Sequence, residues 1–144
     1  MGIEENKEVV RRFQERLDRG DVSVIDELMT DNCIFHATDM GIDSFKEDIK
    51  QRQGSRALSE QTITILDMIA EGDKVFARCV RKAKHTGKSG LFPNISPTGK
   101  ETSVSHFVLY RLEGGKIAEA WTLMNWLGLF QQIGALPPTE EIRK

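Results

Sequence analysis

The sequence predicts an α+β fold, with three N-terminal helices packed on a curved, antiparallel sheet. Three observations carry this. Apolar residues recur at helical spacing up to about Gln53, and from Gln61 onward they alternate with polar ones. A Gly114-Gly115 pair then joins two long alternating stretches. A helix buries a stripe and a half-solvated strand buries every second residue, so the change of period marks the change of element. Helices followed by strands with short turns form two layers. A curved sheet wrapped around helices leaves a cone with a pocket between the layers.

Taken in order, residues 4–19 set Val9, Val10, Phe13 and Leu17 on one helical stripe. Gly20 ends that helix and Asp21 can cap the next. Residues 22–29 form a short second helix that buries Val24, Ile25 and Leu28, and Thr30-Asp31-Asn32 breaks it. Residues 33–36 are a short strand ending at His36, followed by a loop at Asp39-Met40-Gly41. Asp43 or Ser44 caps a third helix running to about Gln53, with Phe45 and Ile49 inward. Residues 61–70 are rich in β-branched side chains and read as a strand, as do residues 75–85. Residues 86–100 hold several glycines and prolines and read as a loop.

The last hairpin organises the rest. With Gly114 and Gly115 as a two-residue turn, Tyr110 pairs with Glu119, Val108 with Trp121 and His106 with Leu123. One face then carries Val104, His106, Val108, Tyr110, Glu119, Trp121, Leu123 and Asn125. An apolar surface with a few hydrogen-bonding groups set into it is how a small-molecule pocket looks. The opposite face, with Phe107, Leu109, Met124 and Trp126, is half apolar and packs either on a partner subunit, which predicts a homodimer, or on the chain's own tail. A bulge would shift the pairing by one residue and swap one strand's faces.

Composition bounds the function. A chain of 144 residues forms one domain, and 39% hydrophobic with 29% charged residues is ordinary for a globular protein. A net charge of -2 argues against nucleic acid or an anionic membrane as partner. Arg78, Arg81, Lys82, Lys84 and Lys88 form a local basic run, read as a solvated edge. Cys33 and Cys79 lie in apolar strands without a CxxC spacing, which suits reduced thiols in a cytoplasmic protein. The charged N-terminus has no signal core, and no stretch approaches the roughly 20 apolar residues a membrane span needs.

Several stretches together resemble one family. RGDVSVIDELMTDNCIFH, DKVFARCVRKAKHTG, PTGK and LYRLEGGKIAEAWTLMNWLGLFQQIGAL are similar, in order and spacing, to segments of SnoaL-like polyketide cyclases. The resemblance covers nearly the whole chain. It implies a single SnoaL-like domain over 1–144 with the cone-shaped α+β barrel of the nuclear transport factor 2-like superfamily. It also implies a homodimer, no metal and no organic cofactor, and a small hydrophobic ligand. Members with known chemistry close rings by an intramolecular aldol step, and related folds include ketosteroid isomerases and proteins that only bind ligands. Cyclase-type members carry an acidic residue four places after the tryptophan of a Glu-x-Trp motif. Glu119 and Trp121 match that motif, but the acidic position is Asn125. The isomerase pattern places a carboxylic acid near Val108 and a helix-one tyrosine near Phe13, and neither residue can donate to an oxyanion.

The candidate catalytic residues are therefore His36, His106 and Asn125. His36 ends a strand where the superfamily often places a base, and an imidazole can take a proton from carbon beside a carbonyl. A histidine bonded to backbone at a strand end is the equal alternative. His106 polarises a carbonyl, acts as base, or is a satisfied core histidine. Asn125 can orient a carbonyl. Trp121, Arg78, Val108, Tyr110, Glu119 and Phe13 are the candidate substrate-binding set, with ion pairs to Asp67 or Glu119 as the structural reading of Arg78. His85 matches a family histidine but adjoins a loop and lysines, which places it at the surface. The three histidines have no metal-ligand spacing.

Overall fold

The computed structural model describes residues 2–54, 58–87 and 94–144. Among them are the helices α1 (Ile3–Asp18), α2 (Ser23–Leu28), α3 (Lys46–Gly54), α4 (Trp126–Gln132) and α5 (Thr139–Ile142). The strands are β1 (Met29–Ala37), β2 (Ile42–Phe45), β3 (Leu58–Glu71), β4 (Lys74–His85), β5 (Glu101–Glu113) and β6 (Lys116–Met124). They form one sheet in the order β2-β1-β6-β5-β4-β3. The α+β fold is as the sequence predicts. One pairing, β1 with β6, is parallel, so the sheet is mixed rather than wholly antiparallel.

The amphipathic α1 buries Val9, Val10 and Phe13 against the concave side of the sheet. It ends where Gly20, at φ 80°, lets the Gly20 and Asp21 amides reach back to the Leu17 and Arg16 carbonyls. The α2 stripe of Val24, Ile25 and Leu28 is buried as its spacing requires. Phe13, Phe35 and Tyr110 meet with ring centroids 6.2 to 6.4 Å apart and floor the core. The hydroxyl of Tyr110 is bonded to the Gln14 amide.

Three local expectations change. The helix α2 does end before Thr30-Asp31-Asn32, but the triplet is not a break between helix and strand. It lies inside β1, at the irregularity between the Met29–Ile117 and Ile34–Glu119 pairs. Residues 42–45 form the strand β2, too short to show a period. Phe45, paired with Ile34, is consequently exposed, whereas Ile49 is buried as expected. The third change is the hairpin register. Glu113 pairs with Lys116 and Leu112 with Ile117, but Arg111 pairs with Glu119, so Ala118 is an extra residue. Beyond it Tyr110 faces Ala120, Val108 faces Thr122 and His106 faces Met124.

That bulge corrects the predicted pocket face. Val104, His106, Val108 and Tyr110 point to the concave side. Glu119, Trp121 and Leu123 point to the outer side with Phe107, Leu109 and Arg111. Of the predicted loop 86–100, residues 86–87 and 94–100 have no regular structure. The other residues of that segment, Lys88 among them, lie outside the described set.

Candidate functional site

Along β5, Val104 packs with Leu129 and Ile133 in one apolar cluster, and Val108 and Tyr110 belong to the main core. His106 lies between the two. Around it the inward residues Phe35, Ile63, Arg81, Thr122 and Met124 keep part of their surface exposed, although alternation turns them to the concave side. The core thus leaves the concave side around His106 incompletely covered, and that partly open space is the candidate cleft.

Three polar side chains meet there. Arg81 donates to Gln61 Oε1 at 3.2 Å and lies 3.5 Å from His106 Nδ1. A guanidinium only donates, so Nδ1 accepts and the ring proton is on Nε2. Burial, with the Arg81 charge beside it, lowers the His106 pKa to about 3. His106 is thus a neutral hydrogen-bond donor at physiological pH. Burial raises the pKa of the Tyr110 hydroxyl, and burial also raises that of the Cys79 thiol.

His36 lies on the other side of the sheet. Its Nδ1 is 2.8 Å from Asp43 Oδ1 and its Nε2 2.7 Å from Glu119 Oε2, while Arg111 Nε donates to Glu119 Oε1 at 3.2 Å. A carboxylate accepts, so the ring can donate from both nitrogens at once only when it carries its second proton. The hydrogen bond to Glu119, then that to Asp43, raises its pKa. Glu119 is lowered in turn, by His36 first and then Arg111. The Trp121 ring stacks on the His36 ring, centroids 5.6 Å apart.

A family model for SnoaL-like polyketide cyclases matches residues 7–133. The chain belongs to the SnoaL-like polyketide cyclase family. No curated protein matches it by sequence. Solved structures share its fold. AclR, a candidate hydroxylase from Streptomyces galilaeus, is 22% identical with a TM-score of 0.82, over 99% of this chain and 90% of that one. A candidate polyketide cyclase from Bacillus cereus is 25% identical with a TM-score of 0.74, over 92% and 82%. IdmH, a candidate polyketide cyclase from Streptomyces antibioticus, is 23% identical with a TM-score of 0.73, over 90% and 98%.

In this SnoaL-like chain the predicted site residues separate into four places. His106 opens on the cleft, with Val108, Tyr110 and Phe13 as fully buried floor. His36, Glu119 and Trp121 share the outer cluster. Arg78 is also outward, its Nε donating to Asp67 at 2.6 Å. Asn125 is exposed and caps α4, its Oδ1 accepting the Gly128 amide at 2.9 Å. Its side chain is so close that a Cβ on Gly128 would sit 2.5 Å from Nδ2. His85 is fully buried rather than at the surface, accepting from the Thr98 amide at 3.2 Å. Arg81, part of the basic run expected at a solvated edge, faces inward instead. Its parity with the inward residues Val75, Ala77 and Cys79 was the signal that it faces the cleft. Among the described residues no helix is long and apolar enough to cross a membrane.

Two outcomes follow from this geometry. N125A should lose about 1 kcal/mol in chemical denaturation, and N125D should stay within about 0.5 kcal/mol of wild type, because aspartate caps as well as asparagine. The His36–Glu119 pair should stabilise only while both are charged. The His36 share is full below its ordinary value of 6.5 and lost as pH rises through its raised value. The Glu119 share is present above 4.5 and lost as pH falls through its lowered value. Melting curves of wild type and H36Q should therefore differ most near pH 6, by about 1 kcal/mol or less, and converge in alkali. An advantage that grew above pH 9 would contradict the ion pair.

Proposed function

We propose that the protein binds a small hydrophobic carbonyl compound in the cleft and assists proton transfer at the carbon beside that carbonyl, as an isomerase or aldol cyclase would. The observation that supports this best is the Arg81–His106 pair. Arg81 fixes the His106 tautomer, and a neutral imidazole with its proton on Nε2 can donate to a carbonyl oxygen. As charge builds on that oxygen the bond strengthens, which favours the enolate over the ketone. The aromatic floor and the apolar cluster beside α4 supply affinity by burying apolar ligand surface. His106 then acts as polariser rather than base, since a group with a pKa of about 3 holds a proton poorly at neutral pH.

A second reading is a binding module without turnover. It is favoured by Asn125, an amide at the family's acid position that spends its side-chain oxygen on the α4 cap. In either reading the outer sheet face, with Phe107, Leu123 and Phe45 exposed, contacts a second copy of the chain. Its charges are already paired as Arg111–Glu119–His36 and Arg78–Asp67, so a like surface can cover it without stranding a bare charge.

A thermal-shift screen of aromatic polyketides, steroids and short esters should yield a stabilising ligand. H106Q should weaken it 10- to 100-fold, equivalent to about 1.4–2.7 kcal/mol. Unchanged affinity in H106Q would remove the carbonyl contact. Light scattering at micromolar concentration should give twice the 16.3 kDa chain mass. A 16.3 kDa species alone would remove the dimer.

A further inference from the structure

We infer that Asp18 is the proton acceptor of the cleft, an inference that rests on the carbonyl site proposed above. Asp18 is the last residue of α1, one turn beyond Gln14. Residues four apart share a helix face, and the Gln14 amide is bonded to the inward Tyr110 hydroxyl. Asp18 therefore looks at the concave side. Its Oδ2 accepts the Ile63 N–H at 2.5 Å, and Ile63 pairs with Arg81 across the β3–β4 ladder. The carboxylate therefore holds the backbone of the residue directly opposite Arg81, which sets the carboxylate and the guanidinium at adjacent strands and at one level of the sheet.

Local helix preference argues against a carboxylate here. The C-terminal turn of a helix favours cations, and Arg16 supplies one. A residue that breaks a local rule while facing a cleft is where function is expected. Chemistry points the same way. Among the described residues that face the concave side of β3 to β6 or the inward side of α1, Asp18 is the carboxylate. His106 holds a proton too weakly, while the Tyr110 and Cys79 protons are held too tightly.

The step balances without a co-reactant. An Asp18 oxygen takes the proton from the carbon beside the carbonyl. The C–H electron pair becomes the carbon–carbon double bond, and the carbonyl π pair moves to oxygen, held by His106 Nε2–H with Arg81 behind it. Return of the proton to carbon completes isomerisation, and in D2O it returns as a deuteron.

The test uses β-tetralone, a bicyclic aromatic ketone, with binding read by thermal shift and α-hydrogen exchange read by proton NMR in D2O. D18N keeps an oxygen for the Ile63 amide but is no base. It should melt close to wild type, bind β-tetralone with unchanged affinity and exchange it about 100-fold more slowly. D18E should keep part of the rate. Wild-type exchange in D18N, or loss of melting temperature and binding together, would overturn the role of Asp18, the second outcome marking it as a structural pin. H106Q separates the two ideas. If it weakens binding while D18N exchanges normally, the carbonyl site stands and Asp18 falls. If wild type neither binds nor exchanges β-tetralone, both fall.

Discussion

The geometry of the cleft depends on one extra residue in β6. A strand has no freedom in side-chain direction beyond its period of two, so parity decides which residues can reach a ligand. Ala118, unpaired between Ile117 and Glu119, reverses that parity for the rest of the strand. It also lets Ile117, Ala118 and Ala120 all be buried. Without it Glu119 and Trp121 would share a face with Tyr110 and Val108, and a carboxylate would point into the apolar core. Burying an ionised carboxylate without a partner costs several kcal/mol. The bulge leaves Ala120 opposite Tyr110 instead and sends Glu119 outward to Arg111 and His36. The core and the outer ion-pair cluster are two results of the same insertion.

That dependence explains what was legible in the sequence. The elements were, because period survives in composition: the α1 and α2 stripes, the long strands and the Gly114-Gly115 turn all lie where the pattern puts them, within a few residues. The bulge itself was not. Ile117-Ala118 offers no charge or glycine to mark which residue is skipped, and small apolar side chains fit either face. The pocket residues drawn from β5, read at their own parity, kept their face. Those drawn from β6 changed theirs. His36 could not be placed from its own strand because its direction depends on the β1 irregularity at Thr30-Asp31-Asn32. Arg81 was legible in principle. It follows Val75, Ala77 and Cys79 at steps of two, and a cation at that parity is a stronger signal than a cation in a basic run.

The two strand histidines show how far surroundings outweigh residue type. His36 sits between carboxylates near solvent, and its hydrogen bonds to Glu119 and Asp43 favour the charged ring. His106 sits in a half-closed cleft beside a guanidinium and is held neutral. Burial and a like charge act in the same direction there, whereas at His36 two opposite charges outweigh desolvation. Of the two, His106 is the one on the concave side, and with Nδ1 turned to Arg81 its ring proton is on Nε2.

The position that the family's cyclases fill with an acid illustrates why fold membership does not carry the mechanism with it. Asn125 follows the last inward residue of β6, Met124, and begins α4. A side chain there can either cap the helix or turn to the cleft. The Gly128 amide has claimed it, and Gly128 must stay without a Cβ for the contact to fit. Among the described residues, the proton transfer proposed above therefore draws on inward positions of the sheet or on the covered side of α1. That leaves the lip of α1, where a carboxylate already touches β3, as the place where base chemistry and the His106 donor can meet on one ligand.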